Sequence, residues 1–162
     1  MPESQAELQK EVISPTPTAE IAVIVMDEKG GVFVGRVQEG IDKDKLSVPI
    51  SRIQPFEPLA DAARRTVLEW SGIDTEPQTT LFVLQSIHPE EGIHRVVIFL
   101  FSQRVKRVSH GGDSFWQDVR KLGEIQDELT EIAVDGFDKF SIVLKGMRNT
   151  KVQVLDAGPK QA

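Results

Sequence analysis

The chain has 162 residues, of which 40% are hydrophobic and 27% charged, and carries a formal net charge of −6. That length suits one domain with a full core. The acidic balance excludes a general nucleic-acid binder, which needs a basic field to displace counterions; the lack of cysteine excludes disulfides, zinc–thiolate sites and thiol catalysis. The N-terminus lacks the basic, apolar and small-residue order of a secretory signal. The longest apolar run, Val96 to Phe101, is far too short to span a bilayer. A cytoplasmic protein without a membrane partner is expected.

Residues 1–19 are polar with Pro15 and Pro17, and read as a flexible N-terminal arm in which Ala6–Val12 could form a short helix. The domain is expected over 20–148, with a loose tail over 149–162. Ile21–Met26 is an apolar β-rich run, Asp27–Gly31 a turn, and Val32–Val37 an alternating run, which together predict a hairpin. Gln38–Lys45 is a charged loop. Its Gly40, Asp42 and Asp44 do not follow the order of a calcium loop, so a solvated loop is the reading.

Val48–Ile73 is the most structured stretch in the sequence. Pro58 suits a first helical turn, Glu57 before it suits the positive end of the helix, and Gly72 suits a left-handed cap. Leu59, Ala62, Ala63, Thr66, Val67 and Trp70 recur at three- and four-residue steps, so one helix face is buried.

Thr79–Ile87 and His94–Val105 are two further strands around the loop His88–Ile93, and the second becomes a continuous apolar run suited to a strand covered on both faces. His88, Glu90, Glu91 and His94 are close enough in sequence to invite a metal site, although their place beside a turn favours plain solvation. Arg104, Lys106, Arg107 and His110-Gly111-Gly112 read as an anion-binding edge or a charged strand end with a loop. Phe115, Trp116, Val119 and Leu122 have helical or turn spacing, and Trp116 is expected in the core. Asp127–Lys145 predicts a short turn broken at Gly136 and then a terminal helix over one sheet face.

The frame from Ser51 to Ile73 resembles the Nudix box, G-x5-E-x7-R-E-U-x-E-E-x-G-U, with U aliphatic. Glu57, Arg65, Val67, Glu69, Gly72 and Ile73 match; Ser51, Thr66 and Trp70 stand where the pattern has Gly, Glu and Glu. The resemblance implies an α/β fold, a Nudix-like α/β/α sandwich with a central mixed β-sheet. It also implies that Arg36, on an early strand, could contact a ligand, against the plainer reading of a solvated arginine. Ser51, Arg65 and Gly72 would be the structural part of the box, and Arg65 would pair with Glu57.

In that family the carboxylates on the helix hold Mg²⁺ or Mn²⁺ against a diphosphate. Positions 66 and 70 share a helix face, yet here they offer a hydroxyl and an indole, and the indole has no lone pair for a metal. Ile50 and Ser51 further stiffen a loop that glycines usually keep supple. The first expectation is therefore a Nudix-fold domain with an impaired or absent hydrolase centre, serving as a nucleotide-type ligand-binding, regulatory or protein-interaction module. Trp70 would then either fill the former metal space or offer a stacking surface. The alternative is a Mg²⁺- or Mn²⁺-dependent hydrolase using Glu57, Glu69 and a loop acid from Glu90, Glu91, Glu124, Asp127 or Glu128. A structural or homodimer-forming role that uses the sheet edges is compatible with either.

Overall fold

Six successive apolar residues, Ile21 to Met26, are buried in the middle of strand β1 (Thr18–Asp27). Ala22, Ile24 and Met26 point into one core cluster and Ile21, Val23 and Val25 into another, so β1 is covered on both faces. A strand in that position has no use for polar alternation. The computed structural model describes residues 16–77, 79–105 and 114–157.

The sheet runs β3-β2-β1-β6-β5, with β2 at Gly31–Arg36, β3 at Leu46–Ser47, β5 at Thr79–His88 and β6 at Ile93–Val105. Strand β4 (Ile50–Arg52) pairs with β1, and β7 (Ser114–Asp118) with β2. β1 and β6 are parallel, whereas the β1–β2, β1–β4, β2–β3, β2–β7 and β5–β6 pairs are antiparallel. Helix α1 (Leu59–Ser71) places Ala62, Ala63 and Val67 on one face of the sheet. Helix α2 (Glu131–Ala157) places Ile132, Ala133, Phe137 and Phe140 on the other. The result is the expected α/β/α sandwich around a mixed sheet.

Several local expectations are corrected. Phe115 and Trp116 lie on a strand, not a helical turn: Phe115 packs with the α2-side cluster and Trp116 with the α1-side cluster, the alternation of a two-sided strand. Gly136 does not break the terminal helix. A Cβ there would lie 2.4 Å from Cε1 of buried Phe99, so glycine is what lets α2 approach β6. The helical backbone continues to Ala157, past the boundary at 148, and β1 begins at Thr18, before residue 20. Ile50 and Ser51 are strand, their partners being Ala22 and Ile21. The expected helix over Ala6–Val12 and the basic segment from Lys106 to Gly112 lie outside the described residues. Among the described residues no helix is long and apolar enough to cross a membrane.

Candidate functional site

The predicted box spans β4, the turn after it and α1. Pro58 is extended, with φ −61° and ψ 148°, and its carbonyl accepts the Ala62 N–H at 2.9 Å as the helix begins. Gly72 ends the helix at φ +71°, in the left-handed region that glycine enters without cost. Glu57 does not cap the helix start, which has no side-chain cap. Its carboxylate instead takes Arg65 Nε and Nη2, each at 2.8 Å, and the Gln54 N–H at 3.1 Å.

Arg65 also donates to the Arg52 carbonyl at 3.0 Å and approaches Glu69 at 3.4 Å. One guanidinium thus ties the turn, the end of β4 and the helix together, in the fork geometry that arginine provides. The Arg65 hydrogen bonds hold the Glu57 carboxyl down to about 2, and Glu57 in turn raises the Arg65 pKa.

Thr66 is fully buried. Its hydroxyl donates to the Ala62 carbonyl at 2.7 Å and meets the Ser51 hydroxyl at 2.5 Å. With the Thr66 proton committed to the carbonyl, Ser51 supplies the proton of the second bond. One turn on, Trp70 Nε1 donates to the Ile50 carbonyl at 3.1 Å. Its six-membered ring lies against Gly35, where a Cβ would meet Cε3 at 3.0 Å. The two departures carried by the helix are therefore bonded back onto β4, one of them onto the third departure, Ser51.

This donor set does not fit a magnesium or manganese ion. Mg²⁺ wants near-octahedral oxygen ligands, including carboxylates with lone pairs to give. The Glu57 oxygens are occupied by three N–H donors, the Thr66 and Ser51 hydroxyls by each other, and Trp70 has no oxygen. The Glu69 side chain is 54% exposed, and its carboxylate lies 3.4 Å from the Arg65 guanidinium. The acids considered as completing ligands do not join it: Glu90 and Glu91 are exposed on a 3₁₀ turn, and Glu124, Asp127 and Glu128 on the 3₁₀ segment Val119–Glu128. His88 lies 3.1 Å from Glu131. Among the described residues no three His, Asp or Glu side chains come together as a metal set.

A cleft of about 950 Å³ opens beside the box, with Ser51, Arg52, Glu69 and Trp70 on its wall. The indole does not fill it, because the bare backbone at Gly35 lets the ring lie back against β2. Arg36 and His94 also line the cleft, and Arg36 donates to the Asp44 carbonyl at 2.5 Å. Arg95 and Glu20 line it too, joined through two hydrogen bonds of 2.6 and 3.0 Å. That pair was not singled out in the sequence; its only trace is one charge near the start of each of two apolar strands.

Neither a protein-family model nor a curated protein matches the sequence. Solved structures resemble the fold. The MutT protein from Methanosarcina mazei Go1 superposes with a TM-score of 0.70 at 19% identity, over 82% of this chain and 99% of that one. A NUDIX hydrolase from Nitrosomonas europaea gives 0.65 at 17% identity, over 78% and 90%. A MutT NUDIX hydrolase from Burkholderia pseudomallei gives 0.63 at 18%, over 76% and 98%. The protein has the Nudix fold. At these identities the likeness is one of architecture, and fold alone does not carry activity.

Proposed function

We propose that this Nudix-fold domain lacks a working hydrolase centre and that its cleft binds a nucleotide-type small molecule without a resident metal ion, as a sensor or regulatory module. The observation that carries the reading is the bonding of Thr66 and Trp70 back onto β4. Two positions that would have to present carboxylates instead close the helix onto the strand. Glu57, which remains, is spent on Arg65.

A ligand site is supported by the cleft's size, about 950 Å³, at the upper end of the range for small-molecule sites. Its wall joins an aromatic side chain, Trp70, to a cation, Arg52, which suits a flat base linked to an anion. The test is calorimetric titration of Mg²⁺ and Mn²⁺, with and without ADP-ribose or a nucleoside triphosphate. Ligand heat that is independent of metal is expected. Tight metal binding strengthened by ligand, with diphosphate turnover abolished in Glu69→Ala, would overturn the proposal in favour of the hydrolase.

A further inference from the structure

At the other end of the sheet, β5 is an edge strand: among the described residues its outer side pairs with nothing. Thr79–His88 contains no proline and no Asp, Glu, Lys or Arg, although edge strands are commonly blunted with just these residues. Helix α1 lies over β1, β2 and β4, and β5 is exposed on that face. Val83 is 54% and Ile87 52% exposed, with Gln85 exposed between them.

The strand also carries its own register marks. A bulge shifts the β5–β6 pairing between Thr80 and Phe82, and Pro89 follows the strand directly. The regular stretch is therefore Phe82–His88, with Gln85 at its midpoint. An antiparallel strand folded onto a copy of itself about that midpoint sets Val83 against Ile87 of the partner subunit, and the reverse, on one face. Gln85 meets Gln85 of the partner subunit on the axis. Such a contact is isologous and closes after two copies. Each like pair of apolar side chains stabilises a paired strand. For a chain of net charge −6, an uncharged edge is also where two copies meet with least repulsion.

We propose that the protein forms a twofold dimer by antiparallel pairing of β5 with β5 of a second copy, centred on Gln85. Ile87 lies across from His94 on β6, but no β5 residue lines the cleft, and the proposal does not depend on what the cleft binds. Sedimentation equilibrium of the full chain should show a monomer–dimer equilibrium. The Val83→Lys, Ile87→Lys double variant should shift it to monomer by about tenfold or more, since it opposes like charges across the pair. Both positions are half exposed, so at a concentration dilute enough to keep both proteins monomeric its melting temperature should stay within about 2 °C of the parent.

The chain has no cysteine, so Gln85→Cys supplies a single thiol. Facing Cα atoms about 5 Å apart allow a disulfide; diamide should give a covalent dimer from this variant and none from Asp61→Cys, on exposed α1. A wild-type chain that stays monomeric at high concentration, a lysine variant that stays dimeric, or no Gln85→Cys crosslink would each overturn the proposal.

Discussion

Thr66→Glu with Trp70→Glu rebuilds the two carboxylates of the box and tests whether the present residues hold the helix to the strand. Thr66 gives up two hydrogen bonds and Trp70 one, at about 1 kcal/mol each. Removing a fully buried Trp costs about 3–5 kcal/mol; Trp70 is only partly buried and Glu refills part of its volume, so about 1–2 kcal/mol is a fair share. The sum is roughly 4–5 kcal/mol before the further cost of a carboxylate at fully buried position 66, and for a chain of this size each kcal/mol moves the melting temperature by about 2–4 °C. Without metal the double variant should therefore melt at least roughly 8–20 °C below the wild type. With Mg²⁺ at about a hundred times its dissociation constant it should regain about 2.7 kcal/mol, while the wild type stays unmoved. Thermal unfolding by circular dichroism with and without millimolar Mg²⁺ reads both. An unchanged metal-free melting point would refute the structural role of the two residues. A wild type stabilised by Mg²⁺ as strongly as the variant would refute the donor-set argument.

Phe56 is fully exposed at φ +62°, so Phe56→Gly loses no packing and removes left-handed strain of about 1–2 kcal/mol. After glycine's extra entropy in the unfolded chain, a gain of about 0.5–1 kcal/mol is expected in urea unfolding, and a loss would contradict the strain. Gly136→Ala adds a methyl 2.4 Å from the Phe99 ring. Overpacking of about 1–3 kcal/mol should exceed the roughly 1 kcal/mol gained in helix propensity, visible as a lower denaturant midpoint. Glu57 has its pKa lowered from 4.5 to about 2, so its contribution is complete above its unfolded value and fades as pH falls through about 2. Glu57→Gln should therefore show a shallower loss of stability across that acid window; Asp118, lowered to about 2 by Arg120, keeps some slope in place. An identical acid profile for the variant would count against the Arg65 clasp. Arg95→Met leaves the Glu20 carboxylate, 11% exposed, without its cation and should cost about 3 kcal/mol or more in a chemical melt. A neutral result would mean that the pair is solvated.

Much of the architecture is legible because long apolar runs and helix ends are local signals. Ile21–Met26 announces a strand covered on both faces, and Pro58 and Gly72 bracket α1. What escapes is set by distant partners. Phe115 and Trp116 read as helical because their strand is short and its alternation shows only once β2 and both core layers are in place. Gly136 reads as a breaker because Phe99, which requires it, is 37 positions away in sequence. At the site, the chemical character of Ser51, Thr66 and Trp70 is visible at once. Their bonds are not: the indole's position depends on the bare backbone at Gly35. The Glu20–Arg95 pair is equally hidden, since its partners are 75 residues apart.

That pair bears on how the chain finds its alignment. Strands with one wet face are indexed by their own polarity, because a one-residue slip turns the apolar set outward. β1 has apolar side chains on both faces, and Val96–Phe101 of β6 is an unbroken apolar run, so sliding one along the other changes little in hydrophobic terms. Glu20 breaks the degeneracy. It can reach Arg95 in only a narrow range of alignments around Thr18 opposite Arg95, and sliding it toward Phe99 strands a carboxylate in the core. The pairing also closes a loop of 75 residues, a slow step by topology. On the ribosome, β1 must wait without this neighbour until β6 has emerged, and the charge pair then selects the correct alignment from several of similar apolar content.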